Sequence, residues 1–373
     1  MSNDAVRLLR IHAQRLTPQQ PNAIQSVAQV VKELCGLQAQ DAHAATLAVR
    51  PRSAGLLAAD IERARVQERS IIRTWGQRGT LHLLATEDLD WLLALLGPVF
   101  VAASQTRRAE LGLDEETCSR GIRLMRNMLA NQGAQTRAEI VEQLAAHGVH
   151  LEEQAAPHLI GRAALEGIVC LGPDRGGKPT YVLLDDWIER RRVVTLSRDE
   201  ACAELALRYL AAYGPAAPDD FASWSGLPIS EVRSAWTRVA PQLIEVEIAN
   251  RPAWMLKAHA TWLDEFPLHS PVMRLLPSFD TYLLGYRKRD LVVESQYAKR
   301  IHPGGGILHT TLIVDGWAVG TWKSKRQKDH LDILVEPFDT LTSEIHAGLE
   351  AEVTDIARFL DVQAVLHTLS SPE

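Results

Sequence analysis

The chain has 373 residues, 46% hydrophobic and 23% charged, the composition of a globular protein with material for one large core or several small ones. Its formal net charge of −6 excludes a uniformly basic protein that coats nucleic acid, so any surface for a polyanion must be a local concentration of positive charge. At about 150 residues per domain, two or three units are expected.

The N-terminal stretch MSNDAVRLLRIHAQRL mixes charges among its apolar residues and has no h-region, so it does not read as a signal peptide. From there one arrangement recurs three times. The first copy opens with a helix predicted over Ile24 to Leu34, with Gly36 as its C-terminal cap, and continues with a helical stretch from Leu56 to Val66. "SIIRTWGQRGTLHLLATED" then places two short β-rich runs around Gly76 to Gly79, a hairpin signal. The longest apolar run, Trp91 to Ala103, contains Gly97 and Pro98 and falls short of the ~18 residues of a membrane span. The expectation is a soluble protein with no membrane partner.

The second copy opens at Thr136, an N-cap with Glu139 completing a capping box, and its helix stops at Gly148. A helix from Glu152 to Glu166 and the strand–turn–strand "IVCLGPDRGGKPTYVLL" follow. The third copy has helices in "RDEACAELALRYLAAYG", "PDDFASWSGLP" and "ISEVRSAWTRVAPQ", with Ser230 as an N-cap. It closes on the hairpin "LIEVEIANRPAWMLK". Two or three helices closed by a hairpin is the pattern of a winged helix-turn-helix. Beyond Pro271 the composition turns β-rich. Strands are predicted over Ile307 to Val314, Trp317 to Lys323 and His330 to Val335, with Asp315-Gly316 as a tight turn and an amphipathic helix from Ser343 to Leu360. The predicted fold class is therefore α+β. Three tandem winged helix-turn-helix units (residues 1–130, 131–195 and 196–270) precede a β-rich scaffold with a C-terminal helix (residues 271–373).

Several chemistries fail on spacing. "GPDRGGKP" nearly spells a phosphate-binding loop, but Pro179 stands where Ser or Thr should bind magnesium, and a strand follows instead of a helix. Cys35, Cys118, Cys170 and Cys202 form no Cys-x-x-Cys pair, and the histidines do not cluster with them at ligand spacing. The cysteines are expected to be reduced and mostly buried in a cytoplasmic protein, with no metal and no cofactor.

Three blocks carry a family resemblance in order along nearly the whole chain. They are "GLQAQ" followed by "IIRTWGQRGTLHLLATEDLDWLLALL", then "LLPSFDTYLLGYRKRDLV", then "GGGILHTTLIVDGWAVGTWK". They resemble the bacterial winged-helix DNA glycosylases of the AlkZ and YcaQ type. The resemblance implies tandem winged helices around a positively charged concave channel. It also implies excision of alkylated purines, including unhooking of interstrand crosslinks joined through purine N7. The partner would be double-stranded DNA bearing alkylated or crosslinked purines, met by a monomer. The family's catalytic signature is Gln-x-Gln in one branch and Gln-x-Asp in the other; Gln38-Ala39-Gln40 matches the first. The role implied is DNA repair or self-resistance to a genotoxic natural product.

Taken alone, Gln38 and Gln40 read as solvated glutamines at a helix end; the resemblance makes them the candidate catalytic pair. Residues i and i+2 of a helix lie about 200° apart, so a joint role requires an extended or turn backbone. Asp41 sits one place too late for Gln-x-Asp and reads as an early-turn helix acid. On the first hairpin, Arg73 and Arg78 are candidate DNA contacts, Trp75 reads as core and His82 as a structural histidine. Positive charge also gathers late in the chain, in Arg287, Lys288 and Arg289, in Lys299 and Arg300, and in Lys323, Lys325 and Arg326. With Tyr286, Trp322 and a Gly-rich turn nearby, these residues are candidates for the DNA backbone. The turn His302, Pro303, Gly304, Gly305, Gly306 is a candidate for insertion into a groove. A winged-helix transcriptional regulator without catalysis is the alternative function.

Overall fold

The computed structural model describes residues 1–18, 26–152, 154–188, 196–264 and 271–369. The chain forms two compact units: residues 1–61 together with 203–373, and residues 62–202. The fold is α+β, with a curled half-barrel sheet near the C-terminus.

In the unit of residues 62–202, the predicted hairpin forms from Ile71–Trp75 and Leu81–Ala85, with Thr74 opposite His82. A second hairpin, Val169–Leu171 with Thr180–Leu183, lies beside it, and the two join where Arg73 meets Leu171. "GPDRGGKP" is thus the turn of a hairpin. The helix Arg137–Ala146 begins at the predicted capping box: Thr136 N–H donates to Glu139 Oε2 at 2.7 Å. It packs with Glu115–Gln132 and Ala155–Leu165 around Cys118, Met125, Ile140, Leu144 and Leu159. Trp75, partly buried, packs against this core, in line with its expected core role.

The helix Leu89–Ala103 holds the long apolar run, and its Gly97 meets the last turn of Ala155–Leu165. A β-carbon at Gly97 would stand 2.3 Å from the Leu165 carbonyl oxygen. That oxygen belongs to backbone, so it cannot swing aside. Alanine should raise helix propensity, yet Gly97→Ala is expected to destabilise by about 1–3 kcal/mol, because steric overlap outweighs propensity. Denaturant unfolding measures this; an unchanged or higher midpoint would show that the helices separate at little cost.

In the other unit, the helices Arg198–Tyr213 (from residue 203 onward), Pro218–Ser225 and Ile229–Val239 precede the hairpin Leu243–Ile248 and Arg251–Leu256. Its two turn residues, Ala249 and Asn250, both have positive φ, as a two-residue hairpin turn requires. The N-cap of Ile229–Val239 is Pro228; Ser230, expected to cap it, lies inside the first turn. Tyr209, Tyr213, Phe221, Trp224 and Trp236 form a continuous run of ring contacts. The C-terminal sheet runs Gln363–Thr368, His330–Pro337, Trp317–Arg326, Thr311–Val314, Met273–Leu276. All its pairings are antiparallel except the one between Gln363–Thr368 and His330–Pro337. The helix Ser343–Leu360 has the predicted bounds and buries Leu349, Val353, Ile356 and Phe359. Among the described residues, no helix is long and apolar enough to cross a membrane.

Candidate functional site

The segment carrying the two glutamines is a sharp join between two helices. The first helix, Val27–Glu33, ends in a Schellman arrangement. Gly36 N–H donates to the Val31 carbonyl at 2.8 Å and Cys35 N–H to the Lys32 carbonyl at 3.0 Å. The left-handed position that usually holds glycine is filled by Cys35, φ 54°, and Gly36 follows at φ 103°. A non-glycine residue there costs roughly 1 kcal/mol, offset by surrounding structure. The buried Tyr213 hydroxyl supplies part of that support, donating to the Leu34 carbonyl at 3.1 Å. Leu37–Gln38 is then extended, and Asp41 caps the next helix, Ala42–Val49, accepting from Ala44 N–H at 3.0 Å. Asp41 is therefore a helix-capping acid.

An extended backbone points residues i and i+2 the same way. Gln38 Nε2 donates to Gln40 Oε1 at 2.8 Å, so the two carboxamides are one hydrogen-bonded unit. Gln38 is buried, Gln40 is exposed, and Ala39 between them is fully buried. Carboxamides offer an acceptor oxygen and two donor hydrogens each and do not titrate near neutrality. The pair can orient a water or a hydroxyl, and it cannot serve as an ordinary general base. Among the described residues, no group of three His, Cys, Asp or Glu side chains is placed to hold a metal ion.

The far end of the same helix is also fixed. Arg52, just beyond it, is fully buried and grips the buried Asp280 with two bonds, 2.8 Å and 2.7 Å. Arg52 also donates to the Ala48 carbonyl and to Gln14, while Thr281 donates to Gln14 Oε1. Asp280 is the acid of "FDTYLL", so this motif anchors the helix that follows the glutamines. Sequence reading assigned Arg52 and Asp280 no role. Their 228-residue separation leaves no local signal.

The remaining candidates divide by environment. Arg73 is a buried strand residue, whereas Arg78 is half-exposed at the hairpin turn with φ 56°. His82 is buried with Nδ1 2.9 Å from the Thr80 carbonyl. Burial, helped by the Arg78 charge, pushes its pKa down to about 3. His82 thus stays neutral in the folded chain where the unfolded chain binds a proton. Its contribution to stability is complete above about pH 6.5 and is lost as pH falls toward 3. Ring-nitrogen NMR should show one neutral tautomer at His82 from pH 8 to 5; titration near 6.5 would place the ring in water.

Arg287 is exposed and pairs with Asp219 at 2.8 Å, while Arg289 donates to the Leu283 carbonyl. Lys288 and Lys299 are exposed; Arg300 lies 4.7 Å over the Phe338 ring. Lys323 pairs with Glu336 at 2.9 Å, and Lys325 and Arg326 are exposed near the end of their strand. The two aromatics expected to accompany these charges do not face solvent. Tyr286 and Trp322 are both buried, their polar atoms donating to the Tyr213 and Leu276 carbonyls. The turn at His302 to Gly306 is largely exposed, and its three glycines all have positive φ with open space where side chains would be. Conformation, and not close packing, accounts for the glycines. His302 Nδ1 lies 2.6 Å from the Ile307 carbonyl, and the strand begins only at Thr311.

Comparison with known proteins gives this geometry a context. A curated interstrand DNA cross-link repair glycosylase from Streptomyces sahachiroi is 30% identical over 359 residues, 91% of this chain and 92% of that protein. The solved structure of the Streptomyces sahachiroi DNA glycosylase AlkZ has a TM-score of 0.84 at 26% identity, covering 99% of this chain and 100% of that one. The family model for AlkZ-like DNA glycosylases matches residues 31–359, from the helix before the glutamines to the end of the last helix, and the chain belongs to that family.

Proposed function

We propose that this chain is a monofunctional DNA glycosylase that hydrolyses the N-glycosidic bond of N7-alkylated purines, including the unhooking of interstrand crosslinks. The observation that carries the reading is the Gln38–Gln40 pair, joined at 2.8 Å on a short join between helices that is held at both ends. An N7-alkylated purine is already cationic. When its C1′–N9 bond breaks, the bonding electrons neutralise the base, so the leaving group needs no proton. Water adds its oxygen to C1′ of the oxocarbenium-like sugar and releases a proton to solvent. What remains for the protein is to position that water and to stabilise charge, which fixed dipoles accomplish without a strong base. A neutral purine would need a general acid, which two carboxamides do not provide.

In this reading the three helix–hairpin modules are winged-helix units that hold double-stranded DNA. Lys288, Lys299, Lys325 and Arg326 are exposed candidates to meet phosphates, and Arg78 is half-exposed at its hairpin turn. Arg73 and Arg289 act as structural arginines. The turn His302 to Gly306 is retained as a candidate for groove entry, since it is largely exposed and unencumbered. The biological role would be repair or self-resistance to a crosslinking agent. Incubation with duplex DNA containing N7-methylguanine tests the proposal, with alkali-labile abasic sites as the readout. A regulator would instead bind one operator far more tightly than bulk DNA and leave the lesion intact.

A further inference from the structure

The unit that carries the glutamines also contains a cavity of about 420 Å³ lined by three arginines and two carboxylates: Arg50, Arg274, Arg358, Glu352 and Asp355. Both carboxylates are heavily committed. Glu352 accepts from Arg50 at 2.7 Å, from Leu275 N–H at 2.8 Å and from Arg274 at 3.2 Å. Asp355 accepts from Arg50 at 2.8 Å and from Arg358 at 2.9 Å. Three positive groups against two negative ones leave a surplus of one positive charge. The geometry locates that surplus at Arg274. Its Nη1 is held by the Met273 carbonyl and the longer Glu352 contact, while its buried Nε has no hydrogen-bond partner among the described residues. Arg274 as a whole keeps 16% of its side-chain surface exposed and lines the cavity, and an unpaired guanidinium donor is costly unless something completes it.

We infer that this cavity is a binding site for a phosphate group, received by Arg274 with Arg50 and Arg358 completing the positive wall. Guanidinium donors match phosphate oxygens in geometry and charge. The cavity exceeds a bare phosphate, and Pro51, Pro271 and Met273 also line it, so it has room for an attached sugar. The phosphate has two possible sources, a free sugar phosphate or the DNA backbone. The site is distinct from the glutamine pair, and its test does not involve base excision.

Two measurements on the full chain decide it, with Ala351→Glu as the main variant. Ala351 is an exposed cavity residue outside the ion-pair network, so this change places a carboxylate at the cavity without removing a partner. Thr354→Glu, exposed on the same helix, is the control for added charge. At constant ionic strength, 10 mM deoxyribose 5-phosphate or inorganic phosphate should raise the Tm of the wild type by about 2–4 °C. The rise should be at least halved in Ala351→Glu and kept in Thr354→Glu. If DNA is the source, Ala351→Glu should instead weaken undamaged duplex at least about threefold, with the slope of log K against log salt reduced by about one. Arg274→Gln should repeat whichever loss is seen. If Ala351→Glu alters neither readout, or Thr354→Glu alters it equally, the cavity is not a phosphate site.

Discussion

Gln40→Ala is expected to slow release of N7-methylguanine from duplex DNA by about 10²–10³-fold, the usual cost of removing one preorganised dipole from a transition state. Binding to the same duplex should change by less than about threefold. Gln38→Ala should lose at least as much, because Gln38 is the buried donor that orients Gln40. The double variant should then be little worse than either single one, since residues that act as a unit are not additive. Gln40→Glu separates positioning from basicity. A pair that only orients water gains little from a carboxylate, whereas a missing general base would be supplied by it. Single-turnover rates give the chemistry and fluorescence anisotropy gives the affinity. Wild-type rates in both alanine variants would remove the glutamines from the mechanism.

Breaking the Arg52–Asp280 pair should produce the largest loss of stability. Both side chains are fully buried, so either partner left alone is an uncompensated charge in the interior. Arg52→Ala or Asp280→Asn is expected to cost about 3–5 kcal/mol. Arg52→Met combined with Asp280→Leu should cost less than either, because no charge is then stranded, although Asp280 also caps Tyr282 N–H and that bond is lost. Chemical denaturation of the three variants measures this. Single variants costing under about 1 kcal/mol would mean that water reaches the pair. The affected segment follows the glutamines, so excision should fall with stability in the single variants and return in part in the double one.

What could be read in the sequence was what is decided locally. The Thr136–Glu139 capping box and the Ser343–Leu360 helix are set by neighbours three and four residues away, and both stand as expected. The hairpin at Gly76 to Thr80 is equally local. The C-terminal strand Gln363–Thr368 went unread, since among the described residues it pairs in parallel with His330–Pro337 alone and its residues are half-buried at best. Trp322 and Tyr286 were misplaced for a related reason. Position beside a basic run says nothing about which way a ring turns, and strand alternation sends Trp322 inward while Lys323 faces out. At the candidate site, residue types and spacing were legible, but their chemical meaning came from family resemblance. The left-handed Cys35 was not legible, since glycine stands next to it and took the expected capping role.

Ala39 gives the three-residue motif its mechanical logic. The strand Leu37–Gln38 ends at the first glutamine, and the residue after it is fully enclosed while Gln40 is exposed. Inserting one residue would carry one carboxamide round to the packed side and bring an apolar group out, dissolving the pair without altering either glutamine. A bulkier middle residue would lift both side chains together. The spacing is therefore a depth gauge, in which a silent methyl group determines how far two amides reach from the protein surface.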